Sequence, residues 1–414
     1  MQTKTFANVV LYSKCLTDKD SKILGLEKIL SRRGNKRGIQ ETREERDCRY
    51  LKTFLGLPAH NGLRRHWRSQ NMKALVKEKP QPGLSLRDIE KPKVTNSDDV
   101  LFEVTYCAIC VGETKVYEWG EWAATDPTLQ LPTVLGHEVA GVITEVGSGV
   151  TRFCPGDRIT VDVMIFCGHC YQCLEGHHNM CVNREIYGKK RGAFAEYAVV
   201  PERVICKLPD KISMEEGALM ENLGVAVHAV ELVPHSPGDL AVVIGSGPIG
   251  ILAAQTLAAY GVNTIITDMV ESRLKIAKEI SGATVINVKD DDPVKRVKEI
   301  TKGKGADFVL EAAATQSALD QAFDIVRDRG TVVTIGTFNR AVTFNPFFKM
   351  TRRELKLVSS IARTWETWRI MMQLINANRL VLRPLVSHIL PVEKYKEGFE
   401  LAMSPDTMKV LLEF

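Results

Sequence analysis

Cys167, Cys170, Cys173 and Cys181 lie on one short loop, C-G-H-C-Y-Q-C-L-E-G-H-H-N-M-C. The spacing C-x2-C-x2-C-x7-C lets four thiolates close a tetrahedral shell around Zn2+. With sulfur at all four corners no position is open to a reactant, so the spacing predicts a structural zinc. A similar spacing can hold an iron–sulfur cluster, a weaker fit to a chain with no other electron-transfer feature. His169, His177 and His178 share the loop and are expected at the surface, not on the metal.

A second set of metal-ligating residue types is dispersed. Cys107 and Cys110 lie three apart in C-A-I-C-V-G-E-T-K-V-Y-E-W, a pair that suits a zinc knuckle, a redox couple or plain core. His137 and Glu138 follow in G-H-E-V-A-G, and Glu221 lies in L-M-E-N-L-G. Zinc accepts imidazole and carboxylate as well as thiolate. Each residue alone also reads as a buried Cys, a core His or a surface Glu, and spacing cannot unite positions this far apart.

Gly245, Gly247 and Gly250 form G-x-G-x-x-G in V-V-I-G-S-G-P-I-G, with Pro248 and Ile249 between the last two. The pattern follows an apolar strand and opens a helix, the context in which it cradles a dinucleotide pyrophosphate. Asp268 ends the next strand, 23 residues after Gly245. A carboxylate there accepts hydrogen bonds from ribose hydroxyls and repels a 2′-phosphate, which favours NAD over NADP. Arg273 follows and would partly offset that repulsion, leaving dual use open.

These residues need elements to position them. From Met72 to about 235, β-rich runs such as V-L-F-E-V-T-Y-C-A-I and V-A-G-V-I-T-E-V alternate with Gly, Pro and Asp punctuation, which predicts a barrel or sandwich. From 236 to 361, six short apolar runs alternate with helical stretches, the pattern of a doubly wound parallel sheet. The fold class is therefore α/β, with a Rossmann sheet beside a mostly β domain. Residues 362–414 leave that pattern with an amphipathic helix (T-W-E-T-W-R-I-M-M-Q-L-I-N) and a short β run.

Charge is unevenly placed. Residues 1–71 hold 16 Lys and Arg against 7 Asp and Glu, a balance of +9, while the remainder has 39 against 43, a balance of −4. The acidic body gives no sign of nucleic-acid binding. The basic segment is expected to be a disordered extension outside the fold, or a translated leader ahead of a start at Met72. An RNA-binding arm is the less favoured reading, and its acidic residues weaken a transit peptide. No apolar run reaches membrane-spanning length and no secretory signal is visible. The expected compartment is the cytoplasm, where the 10 cysteines serve as metal ligands or spare thiols.

From Met72 to Phe414 the chain resembles the zinc-dependent medium-chain alcohol dehydrogenases. G-H-E-V-A-G-V-I-T-E-V-G-S-G-V fits that family's zinc signature, G-H-E-x2-G-x5-G-x2-V, and the cysteine lobe and G-S-G-P-I-G follow in the expected order. V-Y-E-W-G-E-W-A and R-T-W-E-T-W resemble the threonine dehydrogenase branch, and L-G-V-A-V-H-A both that branch and the polyol dehydrogenases. The resemblance implies a GroES-like catalytic domain at 72–235, a Rossmann domain at 236–361, and a segment 362–414 that returns to the catalytic domain. It implies a catalytic zinc on Cys110, His137 and Glu138, with Glu221 as a further or water-bridged ligand and Cys107 as packing. It also implies a small-molecule alcohol substrate and a homo-oligomer, dimer or tetramer.

The chain departs from the family where the proton should travel. These enzymes follow the zinc cysteine with G-T-D or G-S-D, and threonine dehydrogenases place a His five residues after it. Here the sequence is C-V-G-E-T-K, so Gly112 replaces the hydroxyl residue and Lys115 the His. Glu221 acting through water, Glu113, Thr114 or Lys115 are the candidate substitutes. A Lys115 that meets substrate points to a sugar acid or hydroxy acid; otherwise it is a solvated surface lysine. The leading expectation is an NAD- and zinc-dependent secondary alcohol dehydrogenase for a polyol, a sugar-derived alcohol or an L-threonine-like substrate. A carbonyl reductase and a non-catalytic NAD- and zinc-binding scaffold are the alternatives.

Overall fold

The structure, a computed structural model, describes residues 70–414. The expectations for the basic segment 1–71 lie outside the described residues, apart from its last two.

The first half is built from β1 (Asn71–Lys77), β2 (Ser85–Glu90), β3 (Asp99–Ala108), β4 (Thr133–Val134), β5 (Glu138–Val146), β6 (Arg158–Val161), β7 (Met164–Ile165), β8 (Glu185–Ile186), β9 (Tyr197–Pro201) and β10 (Ile205–Lys207). β3 and β5 are rich in Val, Ile, Phe, Tyr and Thr, whose branched or aromatic side chains pack well on a pleated surface. Phe102, Val104, Val139 and Ile143 are buried in the core that these strands enclose. Each such side chain, fully buried, contributes about 1.5–3 kcal/mol.

The second half is a six-stranded parallel sheet of β11 (Leu240–Ile244), β12 (Asn263–Asp268), β13 (Thr284–Asn287), β14 (Ala306–Glu311), β15 (Val326–Thr334) and β16 (Lys356–Ser359). Its order is β13-β12-β11-β14-β15-β16, the doubly wound arrangement with its switch point between β11 and β14. β11 reads L-A-V-V-I without alternation because helices cover both faces of a parallel sheet.

The chain then turns back. β17 (Val386–Pro391) and β18 (Lys409–Glu413) join the first half's large sheet, in the order β10-β6-β5-β3-β18-β17, with β9 also on β3. β18 runs antiparallel to β3 and pairs Leu411 with Ala108.

Five helices matter to the site: α1 (Val111–Glu118), α2 (Met220–Glu231), α3 (Pro248–Ala259), α4 (Glu271–Ser281) and α5 (Trp365–Asn376). α2 packs against α3, α5 and β5, so it links the two halves.

Candidate active site

β3 and β5 pair antiparallel, with Ala108 opposite Glu138. Cys110 follows β3 and His137 precedes β5, so register alone brings the thiol and the imidazole to one end of the sheet. β18 continues the alignment on the other side of β3, with Ile109 N–H donating to the Val410 carbonyl at 2.9 Å. Lys409 is thereby delivered to the same end. Three segments remote in sequence meet there.

Cys110 caps α1, its Sγ accepting from Gly112 N–H at 3.4 Å. Glu113 closes the capping box, with Oε2 accepting from Cys110 N–H at 2.8 Å. Its other oxygen lies 2.5 Å from His137 Nδ1. Burial alone would raise the Glu113 carboxyl, yet the His137 ring holds it below its usual range. Burial pulls the His137 pKa down, but Glu113 and Cys110 outweigh it and the ring is held well above its ordinary value. Burial, and then Glu138, push the Cys110 thiol up. A thiol and an imidazole packed this closely, with Glu113 bonded to the ring and to the Cys110 backbone, make a donor set suited to a divalent cation.

The four residues expected to share one metal divide between two overlapping sets, and Glu113 joins the first. Cys110, Glu113 and His137 offer ligand atoms within 4.8 Å of one another, and so do His137, Glu138 and Glu221. His137 is common to both. Glu138 is wholly buried, and both its oxygens accept from Lys409 Nζ, at 2.7 and 2.6 Å, while Asn222 Nδ2 donates to Oε1 at 2.8 Å. Glu221 is paired with the buried guanidinium of Arg363. Both carboxylates are therefore already engaged by protein cations.

Arg363 is completely buried, and its Nε and Nη1 have no hydrogen-bond partner. It lies against Gly224 of α2, where an added Cβ would come within 2.3 Å of the Arg363 Cδ. Burial lowers the Arg363 pKa, but Glu221 and Asp162 outweigh it and raise it. Lys409, Asn222 and Arg363 were not visible as site residues in the sequence. No local spacing links them to the cysteine, because only register and helix packing bring them in.

Cys107 is fully buried among apolar neighbours, as packing requires. Gly112 is open toward the thiol: an added Cβ would have Cys110 Sγ at 3.9 Å as its sole close neighbour. Thr114 is occupied, its hydroxyl donating to the Val111 carbonyl at 2.9 Å. Lys115 is half-buried. Its Nζ lies 3.4 Å from the Thr337 carbonyl oxygen and 5.2 Å from the centre of the Trp122 ring.

In the other half, Gly247 caps α3 with Pro248 at the first helical position and Ile249 behind it. Gly250 is required by close approach, since a Cβ there would stand 1.9 Å from the Gly245 carbonyl oxygen. A Cβ added at Gly247 would meet nothing within 4 Å beyond its chain neighbours, and the neighbouring Ser246 hydroxyl is buried without a partner. An open glycine turn at a helix N-terminus, beside an orphaned hydroxyl, fits a pyrophosphate. Asp268 ends β12 and accepts from Ser246 N–H at 2.6 Å, which ties the turn to the strand end. Arg273, on α4, is drawn to the C-terminal segment and donates to the Thr407 carbonyl at 3.1 Å.

The four lobe cysteines converge as well, their sulfurs within 4.8 Å of one another and none in a disulfide. Cys170 Sγ stands 3.5 Å from Cys173 and 3.8 Å from Cys181. Sulfurs sharing a tetrahedral zinc at about 2.3 Å would be about 3.8 Å apart, so the set fits that ion. Backbone N–H groups, first that of His169, bring the Cys167 thiol down to about 6. Burial and its sulfur neighbours push Cys173 up to about 12. Four thiolates this close need a cation to hold them charged together.

His169 and His177 are exposed, but His178 corrects the expectation of a surface residue. It is buried, its ring 4.8 Å from Phe166 and 5.8 Å from Trp365 at the start of α5. Packing from a segment nearly two hundred residues downstream covers it, which the loop's own sequence does not reveal.

Comparison with known proteins agrees with this architecture. Residues 96–210 match the alcohol dehydrogenase GroES-like domain and residues 248–377 match zinc-binding dehydrogenase. The chain is 35% identical to L-threonine 3-dehydrogenase of Pyrococcus furiosus over 347 residues, covering 83% of this chain and 99% of that protein. It belongs to the zinc-dependent medium-chain alcohol dehydrogenase family. Among solved structures, alcohol dehydrogenase TADH from Thermus sp. ATN1 is 29% identical with a TM-score of 0.75, covering 83% of this chain and 99% of that one. Galactitol-1-phosphate dehydrogenase from Escherichia coli is 25% identical with a TM-score of 0.75, covering 83% and 100%. As a member of this family the chain is an alcohol oxidoreductase, with a GroES-like half and a Rossmann half. Among the described residues no helix is long and apolar enough to cross a membrane.

Proposed function

We propose that the chain oxidises a secondary alcohol to a ketone, with NAD as hydride acceptor and zinc at the Cys110–His137 centre. One observation carries this reading: Cys110 and His137 meet with three buried carboxylates at the end of β3 and β5, linked through α2 to the helix that carries the glycine turn. The likeness to threonine 3-dehydrogenases supports a secondary alcohol; polyols and sugar-derived alcohols fit equally.

Cys110, His137 and, after release from Lys409 or Arg363, Glu138 or Glu221 would hold the metal. Zinc supplies a Lewis acid that makes a bound hydroxyl more acidic, and NAD supplies the electrophilic ring. The chain's residues do the rest. Glu113 takes the His137 Nδ1 side of the ring, leaving Nε2 as the donor nitrogen. Lys409 and Asn222 hold the Glu138 carboxylate in place behind the centre. Arg363 does the same for Glu221. Gly247 and the α3 N-terminus accept the pyrophosphate, and Asp268 favours a free ribose over a phosphorylated one. Gly112 offers no hydroxyl, so the substrate proton leaves to water in the open space beside it. The lobe cysteines, none of them in a disulfide, suit metal binding, and we read the protein as a cytoplasmic homo-oligomer acting on a small molecule.

The test is a screen for NAD reduction over threonine, polyols and sugar acids, with and without a chelator. The expected result is chelator-sensitive turnover of at least one alcohol. Fully zinc-loaded protein that reduces no NAD with any of them would leave a binding scaffold instead.

A further inference from the structure

Lys115 and Lys189 flank one aromatic ring. Lys115 Nζ lies 5.2 Å and Lys189 Nζ 4.7 Å from the centre of Trp122, in the short helix Glu121–Thr125. Their supports are local to the site. Lys115 is on α1, whose N-cap is Cys110. Lys189 is in the turn closed by Gly188 N–H and the Arg191 carbonyl at 2.6 Å, and its own carbonyl accepts from Gln130 N–H at 3.1 Å. The chain leaving that turn pairs with the residues before His137: Ala193 N–H donates to the Gly136 carbonyl at 2.9 Å and Phe194 N–H to Leu135 at 2.8 Å. Lys115 is thus mounted on the segment that presents Cys110, and Lys189 on a segment paired with the one that presents His137.

Their charges are not balanced. Lys189 is paired with Asp126 at 3.0 Å. Lys115 has no carboxylate partner among the described residues; its one hydrogen bond is the long contact to the Thr337 carbonyl. Burial lowers its pKa, the Cys110 thiol works against that, and Lys189 lowers it further. A half-buried ammonium beside a second one is costly unless an anion joins them. The indole face tolerates cations but does not neutralise them.

We propose that Lys115 and Lys189, over Trp122, form an anion subsite beside the Cys110–His137 centre, and that the secondary alcohol oxidised there carries a carboxylate or phosphate group. The inference rests on the dehydrogenase reading and narrows its substrate class. A carboxylate and a phosphate monoester share the chemistry that two ammonium groups recognise, and the substrates tested separate them.

The experiment compares kcat and KM of the full chain on a neutral polyol, a sugar acid and a polyol phosphate, for the parent, Lys115→Met, Lys115→Arg and Lys189→Met. The parent is expected to prefer one of the anionic alcohols. Lys115→Met should reduce that preference, measured as a ratio of kcat/KM values, by about tenfold, chiefly through KM. Lys115→Arg should restore most of it, and Lys189→Met should show a smaller loss. Malonate and inorganic phosphate should compete with the neutral alcohol in the parent and lose that competition in Lys115→Met. Equal losses on neutral and anionic alcohols, or a parent without preference, would overturn the subsite. NADH affinity is measured in parallel, and a loss there matching the loss of preference would assign the lysines to the cofactor and also overturn it. If no alcohol of any kind is oxidised, the dehydrogenase reading falls. Tryptophan fluorescence titrated with malonate and phosphate, in the parent and Lys115→Met, then still decides whether the anion site exists.

Discussion

At the scale of single residues, the site is defined as much by what Gly112 lacks as by what Glu113 supplies. Glu113 satisfies the Cys110 N–H and the His137 ring with one side chain, so it cannot also ferry a proton without releasing one of them. Thr114 is committed to the helix backbone. The hydroxyl that would carry the proton is absent, yet there is room for it, because a Cβ at 112 meets Cys110 Sγ at an unstrained 3.9 Å. Gly112→Thr is therefore expected to fold normally and to raise kcat, up to about tenfold, most clearly on the acidic side of the pH–rate profile. A rate and profile indistinguishable from the parent would mean that proton transfer is already handled elsewhere, or is not slow. The glycine turn and the cysteine lobe were legible in the sequence because their residues are neighbours in the chain, and Asp268 because it ends the strand that follows the turn. Glu113 carried a weaker signal, a Glu three residues after the helix-capping position.

At the scale of elements, β18 is the strand that completes the centre. It adds to β3 from the far end of the chain and places Lys409 against Glu138, both essentially buried. Burial raises the Glu138 carboxyl, Lys409 opposes that, and neighbouring Glu221 adds to the rise. Removing the ammonium strands a carboxylate with no compensating cation. Lys409→Met is expected to cost about 3–5 kcal/mol, read from urea unfolding, and Glu138→Gln in the same chain should recover much of it. Equal costs of Lys409→Met in both backgrounds would show that the pair is not coupled. This strand was unread as a site element for a physical reason: K-V-L-L-E is an ordinary buried β run, and the meaning of its lysine comes from a register formed with residues some three hundred positions earlier. Arg363 was hidden in the same way. Its segment reads as the approach to an amphipathic helix, and only the packing of α5 on α2, allowed by Gly224, turns the guanidinium onto Glu221.

At the scale of the whole molecule, the two proposed metal sites are mechanically joined. The cysteine lobe has almost no core of its own: of residues 167–181, His178, Asn179 and Cys181 are buried, while Tyr171 and Leu174 are exposed. A loop with so little apolar burial depends on its ligands for its shape. Yet its buried residues face the turn that carries Arg363. Asn179 Nδ2 donates to the Ile361 carbonyl at 3.1 Å, and His178 packs against Trp365. Arg363 lies between those two contacts in the chain and holds Glu221. Loosening the lobe should therefore free the Arg363 turn and weaken the hold on Glu221, although no lobe residue is among the ligands proposed for the catalytic centre. Cys173→Ser is expected to lower zinc from about two per chain to about one, to open the lobe to limited proteolysis, and to reduce kcat/KM about tenfold while the Cys110–His137 centre still loads. Metal analysis, proteolysis and kinetics on the same preparation separate the possibilities. Retained kcat/KM with one zinc per chain and a cleavable lobe would show that the lobe's order does not reach Glu221. Loss of both metals together would show instead that the two sites fail as one unit.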